Sequence, residues 1–483
     1  DQVKTIQTNL TMGSAASAGD VIVYEAASSA YKPVGITTTS ASITGENSAT
    51  ATGSSAISRL GTANNRYFGE MIAVPAYGGK IFIKTVESST NYYRWVTLNS
   101  NNTASISGTG SMPSTYPVGI MFLAASNKLV LLGTVGSNTS YNVGTINTST
   151  GAVTWQASNT QIWTGTSTFN NNNNIVYDTN DEKWVIVYEE STNGVMRTIT
   201  YDSSNDSLSA GSTVTLKASL VGSSIAYDTN RNAGLVIYGD GSGTSSKVYY
   251  RKWTSSSGTI TQGSETEITN TTYGSYSKNA NGAKANIVFL PTRSLFIMIY
   301  SYTFDYGFGN RTWPIGINSA VIEANGTVTI ANKSAITSSN AISGGPESMV
   351  VDDASNTVLI QDRTSYNTLR YHDIKQVQIA ANGSIASQST TRLSSFSGGP
   401  TQNPGGVIFS DTAQKGFTYY RYHTNTNGTE NSIGSKVWTI QNEITQTNLT
   451  VNDIVGIADE AISNGASGPV NLIGGIDNNQ SSL

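Results

Sequence analysis

Short apolar runs alternate along this chain with polar turns rich in Asp, Asn, Gly and Ser. The clearest unit is NIVYDTNDEKWVIVY (174–188), in which two apolar runs flank the polar segment DTNDEK. This pattern predicts a β-hairpin between two half-buried strands. Two related units precede it, at 70–83 and 119–132, and four follow it, at 224–238, 286–300, 348–360 and 406–420.

The hairpin units recur with a regular period. The residues directly before the seven turns are Val74, Phe122, Tyr177, Tyr227, Phe289, Val351 and Phe409, at intervals of 48 to 62 residues. A mean period of about 56 residues is typical of propellers and solenoids whose loops are lengthened.

A second, more polar pair of strands follows each hairpin, for example in VMRTITYDSSNDSLS (195–209). Two of these pairs carry Asn-Gly, at Asn325-Gly326 and Asn382-Gly383, which predicts two-residue type I′ turns. Each repeat therefore holds four antiparallel strands. Four-stranded sheets repeated radially predict an all-β fold, a seven-bladed β-propeller, and a solenoid is the competing architecture.

The propeller is predicted to span residues 60–450, between terminal segments 1–59 and 451–483. The pattern predicts that the seventh blade contains its own four strands, ending near Thr450. Ring closure would then need little from the N-terminus, although residues 41–57 could add an edge strand.

Composition narrows the functional classes. Charged residues make up 12% of the 483 residues, the net charge is −4, and there is no Cys. This balance gives no electrostatic reason to expect a nucleic-acid partner. The lack of Cys excludes disulfides, thiolate nucleophiles and Cys-ligated metals. No apolar run approaches the roughly 18 residues needed to span a bilayer, so membrane insertion is not expected.

Residues suited to catalysis are few. His372 and His423 are the two histidines, they fall in different repeats, and no hydrolase, zinc-protease or P-loop motif occurs. Asp178, Asp228 and Asp352 are candidate carboxylates, but their recurrence at the hairpin turn indicates Asx-turn hydrogen bonding. We therefore predict that the chain is not an enzyme, and that it has no catalytic residues and no cofactor.

One segment resembles a calcium loop. DTNRNAG (228–234) carries oxygen ligands at alternate positions, as an EF-hand loop does. The glycine comes one position late and no Glu closes the loop, so a hairpin turn is the better interpretation. No metal site is predicted.

The fifth repeat has a long aromatic insertion, YTFDYGFGNRTWPIGIN (302–318). Loops of this kind on a rigid β scaffold often carry binding function, and aromatic faces beside amides and hydroxyls suit sugars. The predicted ligand-binding residues are Tyr302, Phe304, Tyr306, Phe308 and Trp313. The alternative is that these side chains pack on the blade or against a neighbouring subunit.

The two ends of the chain carry related motifs. GDVIVYEAASSAYKPVG (19–35) and GIADEAISNGASGPV (456–470) resemble paired segments of tail-fibre and other virion structural proteins of tailed bacteriophages, particularly marine ones. In those proteins a strand of the form GDxV, a short turn and xPV precede a segment GIADEAIxxGASGxV. The resemblance implies that both termini fold together as one small β-domain, with the propeller inserted between its halves.

The resemblance also implies a place in the virion. The propeller would attach the particle to the host surface, most plausibly through glycans, while the terminal domain contacts other virion proteins. Assembly as a homo-oligomer is expected, a trimer being one option. Three alternatives stay open: a purely structural virion protein, a glycan-degrading propeller enzyme and a secreted lectin.

Overall fold

A computed structural model of the chain describes most of its length. The described residues are 6–18, 20–25, 29–33, 36–39, 42–48, 50–51, 71–87, 90–113, 116–168, 173–218, 220–240, 247–268, 285–301, 304–305, 311–312, 315–336, 346–366, 369–397, 406–423, 431–441, 444–447 and 454–472.

Within these ranges the protein is all-β, as the hydrophobic pattern predicts. The N-terminal strands are β1 (Ile6–Thr11), β2 (Val21–Glu25), β3 (Ala30–Pro33), β4 (Ile36–Thr39), β5 (Ser42–Ser48) and β6 (Thr50–Ala51). Blade 1 contains β7 (Met71–Val74), β8 (Lys80–Glu87), β9 (Thr90–Leu98) and β10 (Ala104–Ser111). Blade 2 contains β11 (Tyr116–Leu123), β12 (Lys128–Val135), β13 (Asn138–Ile146), β14 (Val153–Trp155) and β15 (Thr160–Thr164).

The next two sheets have a divided outer edge. Blade 3 contains β16 (Ser167–Thr168), β17 (Ile175–Asp178), β18 (Lys183–Glu190), β19 (Asn193–Asp202), β20 (Ser207–Ala210) and β21 (Val214–Lys217). Blade 4 contains β22 (Leu220–Asp228), β23 (Ala233–Asp240), β24 (Val248–Ser256), β25 (Thr259–Gln262) and β26 (Thr266–Glu267). In blade 3, β19 pairs with β20 near one end and with β21 near the other. In blade 4, β24 pairs with β25 and β26 in the same way.

The remaining strands complete the sequence of sheets. Blade 5 contains β27 (Ala285–Leu290), β28 (Leu295–Ser301), β31 (Ile315–Ile322) and β32 (Val328–Ile336), and the pair β29 (Phe304–Asp305) and β30 (Arg311–Thr312) lies between them in sequence. Blade 6 contains β33 (Pro346–Asp352), β34 (Thr357–Tyr366), β35 (Leu369–Ile379) and β36 (Ile385–Ser397). Blade 7 contains β37 (Gly406–Ser410), β38 (Lys415–His423) and β39 (Asn431–Gln441), and β40 (Ile444–Thr447), β41 (Ile454–Ala458) and β42 (Ser467–Leu472) follow.

Helical structure is limited to 3₁₀ turns in these ranges. Three of them, Pro75–Tyr77, Ala124–Ser126 and Pro291–Arg293, connect the first two strands of a blade. No helix in the described part of the chain has the length and apolar character to cross a membrane.

The sheets are antiparallel and arranged like propeller blades. Their inner strands bury side chains on both faces, and the cores lie between consecutive sheets. The core pairs are Phe82 with Leu129, Leu132 with Ile186, Val187 with Val236, Leu235 with Phe296, and Ile297 with Val358. Ser348 Oγ lies 3.2 Å from the amide N of Val407, between blades 6 and 7.

Blade 7 also packs against blade 1. Phe417 and Val437 share a hydrophobic cluster with Ile81 and Val96. The hydroxyl of Ser410 donates a 2.7 Å hydrogen bond to the carbonyl of Gly79. These contacts give blade 7 a packed neighbour in blade 1.

The prediction that blade 7 supplies its own four strands is wrong. Its outermost strand is β5, which pairs antiparallel with β39, and β6 adds a short parallel strand to blade 1. Residues within 41–57 thus do provide edge strands. The sequence missed the assignment because this segment is Ser- and Thr-rich and has little apolar patterning.

The two termini form a separate unit. One compact unit comprises Asp1–Ala41 and Asn442–Leu483, and the other comprises Ser42–Gln441. The terminal unit contains a five-stranded sheet of order β1-β42-β41-β2-β3 and a two-stranded sheet of β4 and β40. These limits differ from the sequence-based limits at 59/60 and 450/451 because β5 belongs to blade 7.

The predicted type I′ turns are also wrong. Only the glycines adopt positive φ, 81° at Gly326 and 80° at Gly383, and neither preceding Asn does. The amide of Gly326 donates to the carbonyl of Glu323, and the amide of Thr327 donates to Asn325 Oδ1. The Asn side chain therefore satisfies the backbone within a longer turn that ends in a left-handed glycine.

One asparagine forms hydrogen bonds to several blades. Asn173 Nδ2 lies 3.0 Å from both Asn286 Oδ1 and the carbonyl of Met349, and Asn173 O accepts from the amide of Ile225 at 2.8 Å. Asn173 lies between β16 and β17 of blade 3, so these bonds connect blade 3 with blades 4, 5 and 6. An amide with several partners favours one arrangement of these sheets.

Candidate functional site

An exposed aromatic surface lies on blade 3 at the edge that carries the turns between first and second strands, here called the turn edge. Tyr177 is the third residue of β17, and Trp184 lies directly opposite it on β18. Their ring centroids are 5.1 Å apart with an interplanar angle of 57°. Tyr177 is 42% exposed, so its ring is accessible from solvent. We call Tyr177 and Trp184 the aromatic pair.

A polar network lies at the junction between blades 2 and 3. The side chain of Tyr201 packs on the same core cluster as Trp184, and its hydroxyl donates to Asp206 Oδ1 at 2.5 Å. Lys128, from β12 of blade 2, donates to both carboxylate oxygens of Asp206. The side chain of Gln156 donates to the main-chain carbonyl of Asp206 at 3.0 Å. This network joins the two blades.

Electrostatics fixes the charge of these groups. The hydrogen bond from Lys128 lowers the pKa of Asp206, and the same bond raises the pKa of Lys128. Burial, followed by the bond to Asp206, raises the pKa of Tyr201. Burial also raises the pKa of Tyr177, with a further contribution from the nearby Glu182 and Asp178 carboxylates. At neutral pH the site therefore presents a carboxylate, an ammonium and two protonated phenols.

These features fit one kind of ligand surface. The aromatic pair offers flat apolar faces, and the Lys128–Asp206 pair offers donors and acceptors at the same blade junction. The side chains of Lys128 and Asp206 are 17% and 30% exposed, so solvent reaches the charged groups. A ring with one apolar face and polar groups at its rim would be complementary to this arrangement.

The blade 5 residues proposed from sequence are mostly outside the described residues. This applies to Tyr302, Tyr306, Phe308 and Trp313. Phe304 begins β29, where its backbone pairs with that of Thr312, and its side chain is also outside the described part. The ligand-binding role of the aromatic insertion remains a prediction.

Sequence reasoning missed the aromatic pair because Tyr177 and Tyr227 occupy the same repeat position. Tyr227 is only 6% exposed, since Trp253 stacks on it at 5.6 Å. Gly234 leaves room for that tryptophan, because a Cβ there would lie 2.4 Å from its ring. The position equivalent to Gly234 in blade 3 is Trp184. The presence of Trp184 where blade 4 has Gly234 was the sequence signal that could have distinguished Tyr177 from Tyr227.

The repeated aspartates have the structural role that the sequence indicated. Asp178 Oδ1 accepts from the amides of Asn180 and Asp181, and Asp228 Oδ1 accepts from those of Asn230 and Arg231. These are Asx turns, and the calcium-like segment 228–234 forms a hairpin turn of this type. In the described ranges, no group of three or more His, Cys, Asp or Glu side chains is placed to hold a metal ion.

The chain matches no family model and no curated protein. Its fold is similar to that of solved structures at low identity. A Lactobacillus plantarum protein is 13% identical, with 64% of this chain and 81% of that chain covered and a TM-score of 0.45. A polysaccharide lyase is 8% identical, with coverages of 78% and 91% and a TM-score of 0.47. An oligogalacturonate lyase in complex with manganese is 11% identical, with coverages of 78% and 98% and a TM-score of 0.34.

These similarities concern the fold alone. They nevertheless correct the sequence-based prediction that the chain is not an enzyme, because two of the three proteins are lyases. That prediction rested on missing motifs, and an all-β blade architecture does not exclude catalysis.

Proposed function

We propose that this protein binds a polysaccharide through the aromatic pair on blade 3. The observation that carries the proposal is the 42% exposure of Tyr177 directly beside Trp184. Trp184 packs on the same core cluster as Tyr201, whose hydroxyl bonds to Asp206 of the Lys128–Asp206 ion pair. Sugar rings stack their C–H faces on aromatic side chains and use their hydroxyls with charged and amide groups. The site provides both kinds of contact within one blade junction.

A glycan array with purified protein tests this proposal. The wild type should bind selected glycans, and Tyr177→Ala should lose that binding because the stacking face is removed. Tyr24→Ala is the matched control, since Tyr24 is 38% exposed and lies in the terminal unit beside Tyr31. Binding that survives in Tyr177→Ala would reject the site.

The array also separates the two candidate surfaces. A variant with Tyr306→Ala and Trp313→Ala removes two aromatic side chains from the blade 5 insertion. Loss of binding in that variant, with full binding in Tyr177→Ala, would place the ligand on blade 5. Loss in both would indicate that one glycan contacts both surfaces.

Cleavage of the bound polysaccharide is the alternative function. The specific observation is that Asp206 lies within hydrogen-bonding reach of both a phenol and an ammonium. Such groups can orient a substrate or move protons once it is bound. The glycan mixtures should therefore be assayed for new chain ends, and products that disappear in Asp206→Asn would assign cleavage to this site.

We also propose that the chain is a tailed-phage virion protein that attaches the particle to host-surface glycans. Support comes from the two terminal motifs, whose strands β2 and β41 are neighbours in one sheet. The terminal unit would contact other virion proteins and support a homo-oligomer, such as a trimer. Antibody against the purified chain should label tailed-phage particles in electron microscopy, and light scattering should give the subunit number. Unlabelled particles would reject the virion proposal.

A further inference from the structure

At the edge opposite the turns, here called the loop edge, blades 3 and 4 are joined by an acidic side chain. Glu265 of blade 4 accepts from Lys217 of blade 3 at 2.9 Å and from the hydroxyl of Tyr238 at 2.8 Å. Arg251 Nη2 lies 3.5 Å from the same carboxylate, and Arg251 Nε donates to the Tyr238 hydroxyl at 2.8 Å. We call these four residues the acid clip.

The junction between blades 2 and 3 has the same backbone at this edge. In blade 3, Ile186 is opposite Arg197 and Tyr188 is opposite Val195. In blade 4, Val236 is opposite Arg251 and Tyr238 is opposite Tyr249. Tyr188 and Arg197 therefore stand where the acid clip has Tyr238 and Arg251.

The other two positions of the clip can be matched in the same way. Gly211 and Gly263 each donate an amide to the residue after the arginine, so Thr213 corresponds to Glu265. Trp163 of blade 2 pairs opposite Thr139, as Lys217 of blade 3 pairs opposite Gly194, so Trp163 corresponds to Lys217. The junction thus keeps the tyrosine and arginine but replaces the acid by Thr and the lysine by Trp.

At the position of Glu265, Arg197 therefore has Thr213 in place of a carboxylate. Its guanidinium lies over the Trp163 ring, 5.0 Å from the centroid. Its Nε is buried, and among the described residues it has no hydrogen-bond partner. Thr213 is exposed and carries no charge to offer. In the acid clip Nε donates to the tyrosine hydroxyl and Nη2 contacts the carboxylate. A ligand carboxylate at the position of Glu265 would therefore pair with the terminal guanidinium nitrogens of Arg197.

We propose that Trp163, Tyr188, Arg197 and Thr213 form a binding site for one carboxylate group of a ligand such as a sugar acid. The ligand carboxylate would take the place that Glu265 has in the acid clip. Trp163 positions the guanidinium by stacking, and Arg197 provides the charged donors. This site is separate from the aromatic pair and does not depend on its function.

Neighbouring charges limit the ligand. Glu189 and Glu190 end β18 close to the site. Burial raises the pKa of Tyr188, and the negative charge of Glu190 adds to this rise. These two acids would repel a densely charged polyanion, whereas one carboxylate on a neutral ring can pair with Arg197. The expected ligand therefore carries isolated carboxylates.

Saturation-transfer NMR with three probes tests the site on the full chain. The probes are methyl glucuronide, its uncharged match methyl glucoside, and acetate. Methyl glucuronide should bind the wild type, and Arg197→Gln should weaken that binding by about tenfold or more because a charge-assisted bond is lost. Methyl glucoside should not bind at this site. Equal binding of acetate and glucuronide would keep the carboxylate site and reject a contribution from the sugar.

A second variant tests the site without removing the arginine. Thr213→Glu places an internal carboxylate at the position of Glu265, so it should compete with the ligand and abolish glucuronide binding. Ser212→Glu, which adds the same charge one residue away at an exposed position, should leave binding intact. Glucuronide binding that is absent in the wild type, or unchanged in both Arg197→Gln and Thr213→Glu, would overturn the proposal.

Discussion

The junctions on the two sides of blade 3 share a backbone pattern but differ in how they are covered. At the turn edge, the junction between blades 3 and 4 buries Tyr227 beneath Trp253. It also buries Asp178, which accepts from the hydroxyl of Ser255 at 2.6 Å. The junction between blades 2 and 3 leaves Tyr177 exposed at the equivalent position.

The loop edge shows the same contrast. Glu265 neutralises Arg251 in one junction, whereas Thr213 stands opposite Arg197 in the other. The two junctions thus share the same strand pairing and differ in their side chains. We call the junction between blades 3 and 4 the closed junction and the junction between blades 2 and 3 the open junction. The closed junction should mainly support stability, and the open junction is where ligands can bind.

The largest expected difference in the free energy of unfolding is between variants of the two equivalent tyrosines, Tyr227 and Tyr177. Tyr227→Ala should lower the free energy of unfolding by about 3 kcal/mol or more, because it removes a buried ring beneath Trp253. Tyr177→Ala should change it by less than about 1 kcal/mol, because Tyr177 is 42% exposed and no second ring among the described residues covers it as Trp253 covers Tyr227. Urea denaturation of both variants measures the contrast. Equal losses would show that exposure does not separate the two junctions.

The next effect concerns the buried carboxylate of the closed junction. Ser255→Ala removes a donor from Asp178, which is 1% exposed, and should cost about 2 kcal/mol. Ser204→Ala is the control, since the Ser204 hydroxyl donates in the same way to the exposed Asp202. No measurable change is expected for the control. A larger loss for Ser204→Ala would contradict the assignment of the closed junction.

The sequence predicted the repeated hairpins, the blade architecture and the Asx role of Asp178 and Asp228, because period-2 apolar runs and turn residues are local signals. It did not predict β5 as the outer strand of blade 7, since that pairing joins residues nearly 400 positions apart. It also could not separate Tyr177 from Tyr227. Their difference depends on Gly234 and Trp253, which meet Tyr227 only through strand pairing.

The acid clip should make the closed junction sensitive to pH. Burial alone would raise the pKa of Glu265, but hydrogen bonds from Lys217 and Tyr238 outweigh it and hold the pKa below the ordinary value of 4.5. The carboxylate therefore contributes stability above about pH 4.5, and this contribution is lost as the pH falls through the lower folded-state pKa.

Glu265→Gln should therefore cost about 1 kcal/mol near neutral pH and less in acid. Denaturation of the wild type and the variant across this range gives the comparison. Parallel pH profiles would show that Glu265 does not carry the effect. A steeper profile in the variant would be equally inconsistent with the lowered pKa.

The smallest effect tests whether the open junction can be closed. Thr213→Glu should raise the free energy of unfolding by about 0.5 kcal/mol, because the new carboxylate can pair with Arg197. The gain should be smaller than the loss in Glu265→Gln, since Trp163 replaces the lysine of the acid clip and Glu189 and Glu190 oppose another negative charge. Combining Thr213→Glu with Arg197→Met should remove the gain, because the coupling requires both partners. If the gain survives without Arg197, the two junctions do not share one pattern of side-chain contacts, and the match between Thr213 and Glu265 fails.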